Sequence, residues 1–368
     1  MRKIILLALM LPLVASCQNK KQRSADESLR RDIAQMLLVG FRGTGLDEAP
    51  HIRRDVATYG IGGVILFEYD VPSQSRPRNI ASPTQLRKLR GDLQALSTET
   101  LLISIDQEGG SVNRLKKQYG FPEFPSAQST AEQGFEQVRY AARLTADQLH
   151  KAGINLNFAP CVDLNTNPDC PVIGRLQRSF SADPAVVAGC AAIWVDEQRK
   201  QHVLSCLKHF PGHGSASGDT HAGAVDVSSS WDTSELAPYR TLIAANKVQM
   251  VMTSHVFNSR LDTLPATLSY NVLTGLLRST LHFDGVIVTD DLAMGAMTKQ
   301  FSFDTIVIKT VLAGADMLCL SNNGAEYDPD IVPKTIDIIY KAVKQGLIPE
   351  SRIRESAARI RALKASLR

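Results

Sequence analysis

The residues with the clearest chemical potential stand close together in mid-chain. Lys208-His209-Phe210-Pro211-Gly212-His213-Gly214 is soon followed by Gly218-Asp219-Thr220-His221, so three histidines and an aspartate fall within 13 residues. Two chemistries suit such a cluster. One is metal binding, because His209 and His213 have the i, i+4 spacing of helical zinc motifs. Pro211 and Gly212 lie between them and break a helix, which makes a His209/His213/His221 metal site the weaker reading. The other chemistry is acid–base catalysis. Asp219 and His221 are two residues apart, so a turn can set a carboxylate against an imidazole, orienting the ring and stabilising its charged form. Spacing alone does not separate that role from two polar residues in a solvated loop.

A second candidate is Asp290-Asp291, which follows the apolar run Val286-Ile287-Val288. Successive residues on a strand point to opposite sides, so only one of the pair can face a pocket, and periodicity does not say which. Both candidates need a scaffold that gathers residues distant in sequence. Short runs rich in Val, Ile and Leu occupy residues 36–41, 62–67, 101–105, 154–159, 202–208, 250–254, 285–289 and 316–320. They are continuous in apolar character, as expected of parallel strands buried on both faces. Helical patterns separate them. Ser82-Pro83 reads as an N-cap with proline at the first helical position, followed by Leu86, Leu89, Leu93 and Leu96. Ile336, Ile339, Tyr340 and Val343 share one helix face that ends at Gly346, and Ile353, Ala357, Ile360 and Leu363 share another. Eight strands with intervening helices point to an α/β protein, a single (β/α)8 TIM-type barrel with no second domain; the rival is a doubly wound sheet. The polar motifs sit just after strand runs, and a barrel puts its active site at the carboxyl ends of its strands.

Composition narrows the function classes. Hydrophobic residues make up 44% and charged residues 21% of the 368, enough apolar material for a sizeable core. The formal charge of +4 falls to +2 without residues 1–16, which hold Arg2 and Lys3 and no acid. That is too mild for a nucleic-acid partner. Arg2 and Lys3 precede an apolar stretch over 4–14 that is too short to span a bilayer as a mature helix. Val14-Ala15-Ser16-Cys17 then resembles a bacterial lipobox. By that resemblance residues 1–16 are a lipoprotein signal peptide, Cys17 is the lipidated first residue, and the protein is exported and anchored to a bacterial membrane. Residues 17–30 read as a polar tether, and 31–368 as the barrel. The other five cysteines, Cys161, Cys170, Cys190, Cys206 and Cys319, are odd in number and contain no C-x-x-C pair, which excludes a disulfide scaffold or a cysteine zinc site. A Cys161–Cys170 bridge stays open.

Lys208–Gly214 with Asp219-Thr220-His221 at this distance resembles the bacterial β-N-acetylglucosaminidases of glycoside hydrolase family 3. Four more segments agree: Asp106-Gln107-Glu108-Gly109-Gly110 with Arg114 eight residues beyond Asp106, Gly153-Ile154-Asn155-Leu156-Asn157-Phe158-Ala159-Pro160, Arg178-Ser179-Phe180, and Gly285-Val286-Ile287-Val288-Thr289-Asp290-Asp291-Leu292. The resemblance spans about residues 33–367. It implies a retaining, exo-acting hydrolase of terminal β-linked N-acetylglucosamine, with peptidoglycan fragments as the expected source. It implies Asp290 as the nucleophile that forms a covalent glycosyl-enzyme, and His221 partnered by Asp219 as the general acid–base. It assigns Asp106, Arg114, Arg178, Lys208 and His209 to the sugar's hydroxyl and acetamido groups, and a structural role to Asp163. It implies no cofactor, no metal, a carbohydrate substrate as partner, and a monomer. The family's usual β-glucosidases take their acid from a second domain, so Asp219-Thr220-His221 favours the N-acetylglucosaminidase branch. Departures are Ser111 and Ser215, where the family often has arginine and aspartate, and a slightly extended stretch over 174–178. Rival readings are a sugar-binding lipoprotein without catalysis, glycosyl transfer to phosphate, and a metal-dependent hydrolase.

Overall fold

All eight apolar runs form parallel strands: β1 (Leu37–Gly40), β2 (Gly63–Ile65), β3 (Leu102–Ile105), β4 (Leu156–Asn157), β5 (Leu204–Phe210), β6 (Met250–Thr253), β7 (Val286–Val288) and β8 (Leu318–Leu320). The structure is a computed structural model that describes the backbone of residues 10–367 and the side chains of residues 23–367. Strand pairing runs β8-β1-β2-β3-β4-β5-β6-β7. A parallel bridge between Val288 and Met317 joins the two ends, so the sheet closes into the expected (β/α)8 barrel. Every strand residue is buried, because one face fills the barrel and the other meets the helices.

The helices explain themselves locally. Ser82 Oγ accepts the Gln85 amide at 3.1 Å and caps the helix Pro83–Leu96. That helix buries Leu86, Leu89 and Leu93, each worth roughly 1.5–3 kcal/mol relative to exposure. The two last helices, Ile331–Lys344 and Glu350–Ala365, bury the faces read from their periodicity. The connection after β6 is a π-type helix, Asn271–Thr280.

The polar tether needs correction. A helix, Met10–Gln35, runs through residues 17–30 and into the barrel domain. Leu29 is only 1% exposed and Ile33 lies one turn further on the same buried face. Around it Asp26 pairs with Lys344 at 2.5 Å and Arg30 with Asp337 at 2.7 Å. The segment is polar because one face meets solvent, yet its end is packed. Residues 1–9 of the expected signal peptide and the Cys17 side chain lie outside the described residues. Cys161, Cys170, Cys190, Cys206 and Cys319 are all buried free thiols, so Cys161 and Cys170 are not bridged.

Candidate active site

A cavity of about 440 Å³ opens at the carboxyl ends of the strands. Asp106, Arg114, Arg178, Lys208, His209, Asp219, His221 and Asp290 all line it. The topology therefore gathers residues from the ends of β3, β4, β5 and β7, from Asp106 to Asp290, into one pocket.

The β3 side is built by a short hairpin, Gln107–Gly109 with Val112–Asn113. Gln107 organises it: its Nε2 donates to Asn113 Oδ1 at 2.5 Å, and its Oε1 accepts the amides of Arg114 and Leu115 at 3.0 Å. Its own backbone is held by the Asn157 side-chain amide, which bonds the Gln107 N–H and C=O at 3.0 Å each. Gly109 has φ +92°, and a Cβ there would meet the Pro125 carbonyl at 2.4 Å. The turn thus brings Arg114 back beside Asp106, with Nη2 3.6 Å from a carboxylate oxygen.

Lys208 reaches the floor from within β5 with only 2% of its side chain exposed. Its Nζ lies 2.7 Å from both Asp106 and Glu108. Arg178 closes on Glu108 in a two-pronged pair, Nε to Oε2 at 2.9 Å and Nη2 to Oε1 at 2.8 Å. Burial works against the charge on Glu108, but Arg178 and Lys208 hold its pKa down to about 2. Burial likewise opposes ionisation of Asp106, which Lys208 and Arg114 outweigh. Glu108 is thus a fixed anion that orients two cations and has no proton to give.

His209 is seated by Asp163, which is fully buried. Asp163 Oδ2 accepts His209 Nδ1 at 2.7 Å, and Oδ1 accepts the His209 and His213 amides at 3.1 and 2.8 Å. A carboxylate only accepts, so His209 carries its proton on Nδ1 and turns Nε2 toward Arg178 Nη2, 3.4 Å away. The cluster among the described residues with spacing suited to a metal is Cys161, Asp163 and His209. It includes neither His213 nor His221. Both oxygens of Asp163 already serve these donors and the Cys161 thiol at 3.2 Å, an arrangement that positions His209.

Asp290 and Asp291 take separate directions. Asp291 turns to the end of β8, where its Oδ1 accepts the Ser321 and Ala293 amides at 3.0 and 3.2 Å and its Oδ2 the Ser321 hydroxyl. Asp290 accepts only the Asp291 amide, at 2.8 Å on Oδ1, and Oδ2 has no hydrogen-bond partner among the described residues. Burial disfavours its charge, but His255, His209 and His221 and that amide bring its pKa to about 2. An ionised carboxylate with one unpartnered oxygen suits nucleophilic attack.

The Asp219–His221 pair forms as its spacing allowed. Asp219 Oδ1 accepts both the His221 amide at 2.8 Å and its Nδ1 at 2.7 Å. Nδ1 is therefore the donor, and Nε2 is the atom left to hold or give a proton. The imidazole is 69% exposed, unlike the buried floor. Below it, buried His213 Nε2 lies 3.4 Å from Thr220 Oγ1, which ties the loop to the β5 end.

Burial pushes His213 down from 6.5 to about 4, with Asp163 opposing. The folded state therefore refuses a proton that the unfolded chain takes up below pH 6.5. Stability from this group is complete above pH 6.5 and lost as pH falls toward 4, by about 2–3 kcal/mol. Urea midpoints over that range should fall for the wild type and fall less for His213→Gln; equal slopes would contradict it.

Sequence reasoning left several supporting residues unassigned. His255, at the end of β6, has Nε2 2.9 Å from the Asp291 carbonyl and braces the aspartate turn. Glu68, after β2, lies 2.9 Å from Lys116 and 3.8 Å from Arg114. Glu235 accepts the Leu164 and Ser215 amides at 3.2 Å, tying the loops after β4 and β5. The placement of Ser254-His255 beyond a strand was a usable signal; Glu68 and Glu235 had none.

The chain has relatives of known family and fold. A family model described as the glycosyl hydrolase family 3 N terminal domain matches residues 28–363. The chain is 34% identical over 366 residues to the beta-hexosaminidase LpqI of Mycobacterium tuberculosis, covering 96% of this chain and 87% of that one. It is 33% identical over 310 residues to a beta-hexosaminidase of Alkalilimnicola ehrlichii, covering 82% and 83%. Among solved structures, a family 3 beta-N-acetylglucosaminidase from Paenibacillus aligns with TM-score 0.83 and 35% identity, over 92% of this chain and 62% of that one. M. tuberculosis LpqI aligns with TM-score 0.77 and 32% identity, over 91% and 93%. With its family match running from residue 28 to residue 363, the chain belongs to glycosyl hydrolase family 3, alongside these beta-hexosaminidases.

Proposed function

We propose that the protein is a retaining, exo-acting β-N-acetylglucosaminidase. The observation that carries this reading is the convergence of Asp290, with its unpartnered oxygen, and the Asp219–His221 pair on one cavity. Retaining hydrolysis needs a carboxylate against the anomeric carbon and a proton donor beside the leaving oxygen. Asp290 attacks the anomeric carbon while His221 Nε2 protonates the leaving oxygen. His221 then takes a proton from the water that releases the sugar from Asp290. Asp106, Arg114, Arg178, Lys208 and His209 hold the terminal sugar. Its β-linked N-acetylglucosamine identity is supported by the named relatives, and peptidoglycan fragments are the proposed source. Proton NMR of the first-formed product tests the stereochemistry: the β-anomer is expected, and the α-anomer would end the retaining reading.

The exported, lipid-anchored monomer is the proposed setting. It rests on Val14-Ala15-Ser16-Cys17 and the apolar stretch before it. Cys17→Ser should leave activity intact and move the protein from the membrane to the soluble fraction. Wild-type protein that fractionates as soluble, with no acyl mass on Cys17, would refute the anchor.

A further inference from the structure

Four long cations line the cavity, and three are paired with carboxylates there: Arg178 with Glu108, Lys208 with Asp106 and Glu108, and Arg114 with Glu68 and Asp106. Arg76 is the fourth. It is exposed at the mouth and makes no ion pair among the described residues. Its guanidinium lies over the Tyr69 ring, 4.4 Å from the centroid. Such stacking limits the side chain to one sector while leaving its N–H groups outward.

The loop that carries it is braced. Asp70 and Ser75 form an antiparallel bridge that closes the turn between Tyr69 and Arg76. Asp70 accepts Arg42 Nε and Nη2 at 2.6 and 3.0 Å and Arg78 Nη1 at 3.0 Å. Arg78, fully buried, also donates to Asn323 Oδ1 at 2.8 Å. Asn323 in turn bonds the Tyr69 carbonyl at 3.1 Å and the Val71 amide at 2.9 Å. The loop after β2 is thus fastened to the loop after β8, and Tyr69 and Arg76 stand side by side on a fixed base. Exposed Val71 flanks them and also lines the cavity.

In an exo-acting enzyme the terminal sugar fills the closed end and the leaving sugar occupies the mouth. On the floor Asp106 is paired with Lys208 and Arg114, whereas Asp290 has no cation partner among the described residues, and its field repels an anionic leaving sugar. We infer that Arg76 is a specificity-determining residue that selects leaving sugars bearing a carboxylate, with Val71 against the alkyl part of that substituent. This rests on the exo-β-N-acetylglucosaminidase reading above.

Three substrates test it: a β1,4-disaccharide of N-acetylglucosamine on a sugar carrying a carboxyalkyl ether, the methyl ester of that disaccharide, and 4-nitrophenyl β-N-acetylglucosaminide. The wild type should favour the acid over the ester by about three- to tenfold in kcat/KM at low ionic strength, and less in added salt. Arg76→Ala should bring that ratio to about one while turning over the ester and the aryl glycoside as the wild type does; Arg76→Lys should keep part of it. An unchanged ratio in Arg76→Ala overturns the inference. So does an equal fall on all three substrates, which would make Arg76 a fold element of its loop. Inability of the wild type to cleave the aryl glycoside would instead remove the underlying functional reading.

Discussion

Asp290→Asn should lose activity by roughly 10⁴-fold or more on any N-acetylglucosaminide, because the covalent route goes with the nucleophile. The fold should survive, since among the described residues Asp290 bonds only the neighbouring amide. Asp291→Asn behaves differently: it touches the Ser321 contacts at the end of β8, so its defect should include stability. A 2-deoxy-2-fluoro or 5-fluoro glycoside with a good leaving group should trap the wild type, and the labelled peptide should contain Asp290. In Asp290→Ala, azide should enter the vacated face and give the α-glycosyl azide, opposite in configuration to the wild-type product. Labelling at Glu108, or an Asp290→Asn enzyme with near-normal turnover, would move the nucleophile elsewhere. Glu108 is a poor alternative on the geometry, being locked between Arg178 and Lys208.

The second large effect belongs to His221. A general acid contributes roughly 10²–10⁴ in rate, and only when the leaving group is basic. His221→Ala should therefore slow a natural disaccharide by about that factor, while glycosylation from an aryl glycoside with an acidic phenol falls little. Asp219→Asn should show the same pattern more mildly, because the ring loses the acceptor that fixes Nδ1. The measurement is a leaving-group series for the three proteins. A uniform loss across the series would make His221 a binding residue and leave the acid unassigned. The imidazole is mostly exposed and contributes little packing, so such losses are not a folding artefact.

The barrel was legible because its strands obey a simple rule. Parallel strands buried on both faces are apolar without alternation, and all eight segments stood out for that reason. Strand ends were harder. The fifth run was read as 202–208, but His202 and Val203 precede the strand and β5 continues through Phe210. Lys208 and His209 are polar residues inside a barrel strand, where function overrides the apolar pattern. The tether over 17–30 was misjudged because a helix with one wet face has low hydropathy throughout. Leu29, Ile33 and Met36, spaced i, i+4, i+7, were the overlooked sign. The site residues came from motif resemblance, and their convergence is a matter of topology. Which aspartate of the pair faces inward, and what Glu108, Asp163 and His255 hold in place, depend on contacts between loops distant in sequence, and no local spacing encodes them.

The ion-pair floor has a kinetic meaning. Arg178 and Lys208 are already held by Glu108 and Asp106 before any ligand arrives, with their charges neutralised there. Ordering a flexible side chain at the moment of binding costs about 0.5–1.5 kcal/mol each. Here that entropy is lost on folding, so the substrate meets dipoles and charges whose reorganisation energy is small. The exposed His221 ring has a single such anchor, Asp219 at Nδ1, rather than a network of buried charges. Association with the terminal sugar should accordingly resemble entry into a rigid mould.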